Sequence, residues 1–431
     1  MSEHSVDENA LVPEARTPKY LRKLRFLLSV ATFFEGYDGF VLSLVLPLIL
    51  GSLGGSESQA GVIRAVVGVG AVLGFLLAAQ ADRIGRRRLL LITVTGYTIA
   101  TLVTALSQNL LWLGVSQFVA EIFLQGEWAV AITIIVEEFP HKARGRALGS
   151  VAAMSTLGGI TVGLLAALGL QNTPLSWRAF YLVGIIPLIV IAIARRGLME
   201  TRRYTKVQHA DETRHHLDMA KLTEPWRPEY RRNLIAVGLM HFFRYAALSA
   251  AVFWFPYYAQ QEVGLSLSTT GLYIAAAGVV GVGGFILAGR LMDRWGRRPT
   301  FAAYMIGAAI FGVWLFQIHD TALLLPVLCL SIFFGLGSGS ITSAFATEFF
   351  PTYLRSRAAA WCRNAFEIPG GIFGPLVVGL LGDHQTGPVG SIGDAMSLVF
   401  LACILPVAFI SIFYIGETRD LDMAAFDEAT L

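Results

Sequence analysis

DRIGRR at residues 82–87 and DRWGRR at 293–298 are one motif written twice, 211 positions apart. FPHKARGRA (139–147) and FPTYLRSRA (350–358) repeat at the same offset of 211, and ETR at 200–202 returns at 417–419 with an offset of 217. Three markers repeated in the same order at nearly one spacing read as a duplication. The chain is two halves, each holding one copy of every marker.

The residues between the markers decide what kind of halves these are. Hydrophobic residues make up 55% of the chain and charged ones 15%, whereas a soluble domain carries about 25% charged residues. The mean hydropathy is +0.61. A helix needs about 20 apolar residues to cross the hydrocarbon core. Such runs occur at 24–50, 59–81, 88–107, 110–136, 147–170, 178–198, 233–260, 268–292, 299–318, 321–347, 358–383 and 393–416. Twelve of them in 431 residues leave no polar surface for a soluble fold. The expectation is an all-α polytopic membrane protein with twelve spans in two six-helix pseudo-repeats. Residues 1–23 form an N-terminal tail, 24–198 the first bundle, 199–232 a linker loop, 233–416 the second bundle and 417–431 a C-terminal tail.

Orientation follows from lysine and arginine in the short loops. Lys19, Arg22, Lys23 and Arg25 lie at the start of the first span, Arg83 and Arg86 to Arg88 after the second, and Lys142, Arg144 and Arg146 after the fourth. Arg294, Arg297 and Arg298 follow the eighth span, and Arg355 and Arg357 the tenth. The alternate loops 51–58, 171–177, 261–267 and 384–392 contain neither residue. Both termini and the linker are therefore expected in the cytoplasm, and the compact loops suit a bacterial inner membrane. His209, His215 and His216 are scattered through the linker, and Cys329, Cys362 and Cys403 lie in apolar runs without ligand spacing, so no metal site is expected. No GxxxxGK[ST] loop occurs, which argues against ATP-driven pumping, and no nucleophile–base constellation marks an enzyme. The expected partners are the lipid bilayer, protons and a small-molecule substrate. No nucleic acid and no cofactor is expected, and the chain is expected to act as a monomer.

Asp82 and Asp293 sit where a span ends among arginines. Glu138 and Glu348 end the fourth and tenth spans, beside Arg144, Arg146, Arg355 and Arg357. Topology needs positive charge but no acids or glycines at fixed spacing. These clusters are therefore expected to form ion-pair networks that hold the cytoplasmic ends together in one conformation and release them in another.

At these residues the chain resembles the major facilitator superfamily, over nearly its whole length. The family signature after the second span is a glycine, three residues, Asp-Arg, any residue, Gly, then basic residues. The second copy matches as Gly289, Asp293, Arg294, Gly296, Arg297 and Arg298. In the first copy Asp82, Arg83, Gly85, Arg86 and Arg87 match, and Ala78 stands at the leading glycine. FFEGYD (33–38) resembles the first-span signature of the aromatic-acid:proton and wider metabolite:proton symporters. The fourth-span GEW…EEFP is similar to metabolite symporters and sugar porters, and METRRY (199–204) and GETRDL (416–421) resemble degraded sugar-porter loops. Those families open the fourth-span motif with an arginine, where this chain has Gln117, and carry a small residue where it has Glu121. Arg64 on the second span is the nearest candidate to compensate. The resemblance implies a secondary active transporter working by alternating access on an ion gradient.

Ionisable residues inside a membrane span cost roughly 2.5–3.5 kcal/mol each on insertion scales and mark functional sites by default. The first span carries Glu35 and Asp38, the second Arg64, the fourth Glu121 and Glu127, the seventh His241 and Arg244, the eleventh Arg363 and Glu367. Asp38 lies ~21 Å into its span and Arg244 ~17 Å into its own, at 1.5 Å per residue. Gln117, Glu121 and Gln125 recur every four residues and form one polar stripe. Arg363 and Glu367 are one turn apart, so they either pair with each other or face a substrate. Pro256 in the seventh span, and Pro369, Gly370, Gly371 and Pro375 in the eleventh, weaken helices in the way that cavity-lining spans tolerate. The offset of 211 maps Glu35 and Asp38 onto Ala246 and Ser249, so the acids have no counterpart in the second half.

Three cargoes remain open at this level. A small organic acid, aromatic in the resembling families, would use Arg244, His241 and Arg363 as partners and Glu35 and Asp38 as proton acceptors. A sugar or polyol would use Gln117, Gln125, Trp128, Trp254 and Asn364. An organic cation would use the acids of the first and fourth spans.

Overall fold

The computed structural model describes residues 17–139, 141–195, 199–200 and 223–418. The first sixteen residues, the linker histidines His209, His215 and His216, and the tail from residue 419 lie outside the described residues, as do the side chains of Asp82, Arg144 and Arg146. Span 1 is Pro18–Leu44 continued by Leu46–Leu53, span 2 Glu57–Ala78, span 3 Arg86–Ala105, span 4 Leu110–Glu138, span 5 His141–Ala167 and span 6 Arg178–Arg195. Span 7 is Pro228–Gln261, span 8 Leu267–Trp295, span 9 Arg297–Leu315, span 10 Thr321–Glu348 and span 12 Ile392–Phe413. Span 11 has three parts, Arg355–Trp361, a π-helix Cys362–Glu367, and Ile368–Gly382. Among the described residues, 11 of these are long and apolar enough to cross a membrane, and span 5 contributes the shorter apolar stretch Ala153–Ala167.

Polar loop residues start the helices by accepting from orphan N–H groups. Ser56 and Gln59 form a capping box on span 2, and Asn109, Ser266 and Ser391 cap spans 4, 8 and 12. Large apolar side chains such as Val62, Val66, Leu76, Ile99, Ile286 and Phe409 point outward and remain exposed, the pattern of a lipid-facing surface.

Packing repeats with the sequence. Span 1 packs on span 5, span 2 on span 4, and span 3 on spans 4 and 6. The second half repeats this as 7 on 11, 8 on 10, and 9 on 10 and 12. The halves meet along spans 2 and 11, 5 and 8, and 1 and 7. These seams need glycine, because a Cβ on Gly163 would lie 2.3 Å from the Gly271 carbonyl oxygen, and one on Gly61 3.2 Å from the Gly379 Cα.

Prolines break helical hydrogen bonds, and hydroxyls from neighbouring spans repair them. Pro256 leaves the Val252 carbonyl without its N–H, and Ser43 of span 1 donates to the carbonyls of Val252 at 2.9 Å and Phe253 at 2.8 Å. Pro375 does the same to Gly371, whose carbonyl lies 3.3 Å from the Ser249 hydroxyl. The Leu44 carbonyl, at the break in span 1, accepts from Gln260 at 3.0 Å. The wide π turn of span 11 ends at Glu367, with Ile368 between it and Pro369, which cannot donate to the residue four back.

Most of the polar bonds joining the halves sit at one end, the end of the loops lacking lysine and arginine. There Glu57 accepts from the Tyr257 hydroxyl and contacts His384 Nδ1 at 2.8 Å. Asp383 accepts from the Ser58 N–H at 3.0 Å, and Ser268 donates to the Ala166 carbonyl at 2.8 Å. This far end is closed. Among the described residues the ion pairs at the basic end lie within one half or, as for Arg357 and Glu224, tie the second half to the linker.

Candidate functional site

A cavity of about 440 Å³ lies between the halves, lined from spans 1, 2, 4, 5, 7, 10 and 11. Glu35, Asp38, Arg64, Gln117, Glu121, Gln125, Arg363 and Glu367 all border it. Glu127, His241, Arg244 and Asn364 do not, and each has a different neighbourhood.

Span 1 brings Glu35 and Asp38 to the wall on one helical face, one turn apart. Asp38 is buried beside the Tyr97 phenol, with Tyr37 and Tyr181 also buried nearby. The Tyr37 hydroxyl is committed to the Phe180 carbonyl at 2.6 Å. Glu35 Oε2 is buried without a hydrogen-bond partner. On span 4, Gln125 donates to Glu121 at 3.0 Å, and Gln117 donates to the Thr104 hydroxyl at 3.2 Å. Glu127, on the other side of that helix, pairs with Arg195 at 2.6 Å. Arg195 is fully buried and also donates to the Leu27 carbonyl at 3.2 Å. Glu127 is thereby a structural ion-pair partner in this conformation. Sequence reading missed Arg195 because it stands at a span end, where an arginine ordinarily marks the loop.

Span 11 departs most from expectation. Arg363 does not pair with Glu367. Its guanidinium stacks over Trp128 at 3.9 Å from the ring centroid and faces Phe75 at 5.6 Å, a cation–π clamp supplied by the other half. Glu367 turns instead to span 7, with Oε2 2.7 Å from His241 Nδ1 and Oε1 3.7 Å from Arg244 Nη2. His241 Nε2 faces the Thr342 carbonyl at 3.2 Å, so the ring is held from both sides. The expectation that His241 and Arg244 face a cargo is corrected: both are buried behind Glu367, where the second half neutralises its own acid. Arg64 lines the central cavity. Asn364 points away and donates to the Ala360 carbonyl at 2.9 Å. The cavity therefore holds two guanidinium groups, Arg64 and Arg363, with no carboxylate oxygen within 4 Å of either among the described residues. Tyr245, Phe40 and Phe253 add aromatic surface that no charge or spacing signalled.

The doubled loop motif builds two copies of one device at the basic end. Gly85 and Gly296 take φ of 97° and 101°, a backbone region that only glycine enters readily. Directly after each glycine, Arg86 pairs with Glu137 at 2.9 Å and Arg297 with Glu348 at 3.0 Å. Each arginine also reaches back five residues, to the carbonyl of Ala81 or Met292, at 3.3 Å in both copies. Glu200 accepts from the N–H groups of Arg86 and Arg87, and Glu417 from those of Arg297 and Arg298. Each ETR glutamate thus caps the first turn of span 3 or span 9. Glu137, the partner of Arg86, is the residue that the 211 offset maps onto Glu348. Asp293 is exposed and only 3.8 Å from Arg297. Arg357 pairs with Glu224 at 2.6 Å, Arg355 donates to the Phe350 carbonyl at 3.2 Å, and Arg298 donates to Ser411 at 3.1 Å. Gly289 has open space at its Cβ position. Arg83, Arg294 and Glu138 stand in the same loops. No cluster of three or more metal-ligating side chains occurs among the described residues.

Residues 28–375 match the profile of the Major Facilitator Superfamily. The chain is 26% identical over 407 residues to the cis,cis-muconate transport protein of Acinetobacter baylyi, covering 92% of this chain and 96% of that one. It is 25% identical over 419 residues to the gallate transporter of Pseudomonas putida, covering 90% of each. In three dimensions it resembles the xylose transporter of E. coli in its inward open conformation, with a TM-score of 0.74 at 17% identity over 95% of this chain and 100% of that one. The profile match runs from the first span into the eleventh and so takes in both halves and the cavity between them. The chain is an integral membrane transporter of small molecules, not an enzyme, and it belongs to the major facilitator superfamily.

Proposed function

We propose that this transporter carries a small organic carboxylate, aromatic in its preferred form, together with protons across a bacterial inner membrane. The basic end faces the cytoplasm in this reading, and so do both termini. The observation that carries it is the pairing state of the cavity. Among the described residues Arg64 and Arg363 have no acidic partner within 4 Å, while Glu35 and Asp38 face the same space from span 1. A guanidinium takes a carboxylate through two parallel N–H donors, so an anionic cargo completes the charge balance. The carboxyl groups of span 1 are the proton sites in this reading, because both lie in the cavity wall, Asp38 is buried, and Glu35 Oε2 is buried without a hydrogen-bond partner among the described residues. One proton and one carboxylate crossing together move no net charge. The names of the relatives, a muconate transport protein and a gallate transporter, agree with an acid cargo.

Release follows from the closed far end. A cavity sealed by the contacts of Glu57, Ser58 and Asp383 can exchange cargo only through the opposite, cytoplasmic end, and rocking of the halves about the site restores outward access. No cofactor takes part, and one copy of the chain supplies the whole cavity, so the transporter works as a monomer. A polyol cargo is disfavoured because Gln117 and Gln125 already donate to Thr104 and Glu121.

Uptake in proteoliposomes is the test, with benzoate, a hexose and a lipophilic cation offered with and without an inward proton gradient. Gradient-driven benzoate uptake that Arg363→Ala abolishes is the expected result. Uptake of the hexose or the cation in place of benzoate would overturn the reading.

A further inference from the structure

A second hollow, of about 160 Å³, opens off the central cavity toward spans 5, 8 and 10. The two share Phe40, Ser155, Val252 and Leu336, so they are compartments of one space. Their chemistry differs sharply. The central cavity carries every charge, whereas the side compartment is walled by Phe255, Ile274, Leu328 and Ile332 and has no charged lining residue. Small residues make the room, notably Ala251 on span 7 and Gly278 on span 8.

Dry apolar cavities of about 150 Å³ take a benzene-sized guest, and this compartment has that size. We propose that it is the subsite for the apolar ring of the cargo, whose carboxylate stays in the central cavity with Arg64 and Arg363. The inference rests on the carboxylate reading above and extends it: the substrate is amphipathic, and ring size is read between spans 5, 7, 8 and 10 rather than among the charged residues. Because both halves wall the compartment, a bound ring also contacts the seam between spans 5 and 8, which must move during transport.

Equilibrium binding to the purified, detergent-solubilised transporter tests the assignment with benzoate and propionate, two monocarboxylates of equal charge. Benzoate is expected to bind at least about tenfold tighter, the scale of burying one aromatic ring. Gly278→Leu adds bulk at a position where a Cβ meets only Ile160, at 3.5 Å, and should bring the benzoate-to-propionate ratio close to unity. Ile332→Ala enlarges the compartment and should move preference from benzoate toward 2-naphthoate, a readout that stands if Gly278→Leu fails to fold. If both acids bind but the ratios are the same in wild type and both variants, the compartment holds lipid or nothing and the assignment is wrong. If the wild type binds neither acid, the carboxylate reading fails first and this one falls with it.

Discussion

Arg363 is held by two aromatic faces and by no acid, so its charge is available to a ligand while its position is fixed. Arg363→Ala is expected to lower carboxylate counterflow at least about 100-fold. Arg363→Lys should recover only a small part, because an ammonium keeps the charge but loses the planar fork and the stacking on Trp128. Equal rates for the lysine variant and wild type would show that charge alone suffices. Arg195 and Glu127 illustrate the opposite case, a buried pair that does not line the central cavity. Removing one member strands the other charge, at a cost of about 3–5 kcal/mol. Arg195→Ala should therefore lower the thermal midpoint of the purified protein, and an Arg195→Met, Glu127→Leu double variant should regain most of it. Both arginines are plain in the sequence, but spacing along the chain says nothing of what stands across from them. Arg195, near the end of the sixth span, carried no signal of its own in the sequence and is fully buried in the structure. Arg244 looked like a cargo partner and proved to lie outside the cavity, 3.7 Å from Glu367.

At the scale of elements, the far end is sealed by polar groups from spans 2 and 7 and the loop after span 11. Tyr257→Phe removes one donor to Glu57 and should favour the state open at that end. A cysteine replacing Val67 in the cavity wall should then react severalfold faster with an impermeant maleimide added at the far face, and an unchanged rate would count against the seal. Asp383 sets the acid tolerance of the same end. Burial opposes its ionisation, but the N–H groups of Ser58 and Thr386 and the hydroxyls of Ser56 and Ser58 outweigh burial and hold its pKa well below the usual carboxylate range. A lowered pKa gives stability that is complete above the unfolded value, near pH 4, and lost as the pH falls through the folded one. The stability difference between wild type and Asp383→Asn is thus expected to be constant from about pH 8 to 5 and to shrink only below about pH 4. A difference already shrinking between pH 7 and 5 would contradict this account. The broken helices follow the same logic: Pro256 and Pro375 announce the breaks, yet the repairs by Ser43 and Ser249 come from other spans.

Across the whole molecule the duplication governs the basic end, where each half carries a glycine turn, an arginine–glutamate pair and a glutamate cap. In this conformation the pairs lie within halves, and Asp293 is exposed. A gating role for Asp293 would require a different partner in another conformation. Asp293→Asn is expected to slow transport while membrane insertion stays normal, and normal turnover would remove Asp293 from gating. Span count, the twofold plan and the arginine-rich end could all be read directly from the chain. Hydrophobic length, repeated motifs and loop charge are local properties, and the bilayer acts on them segment by segment. Tertiary packing alone chose which intramembrane charges face the cavity, which neutralise one another, and which end is shut. Those outcomes depend on distances between helices far apart in sequence, and a 3.6-residue period places a side chain on a face without naming the partner opposite. FFEGYD, in the first span, shows the division. Its composition already singles out Glu35 and Asp38 as candidates, but only the packing of span 7 behind span 11 leaves Arg64 and Arg363, rather than Arg244, as the cations that share their cavity.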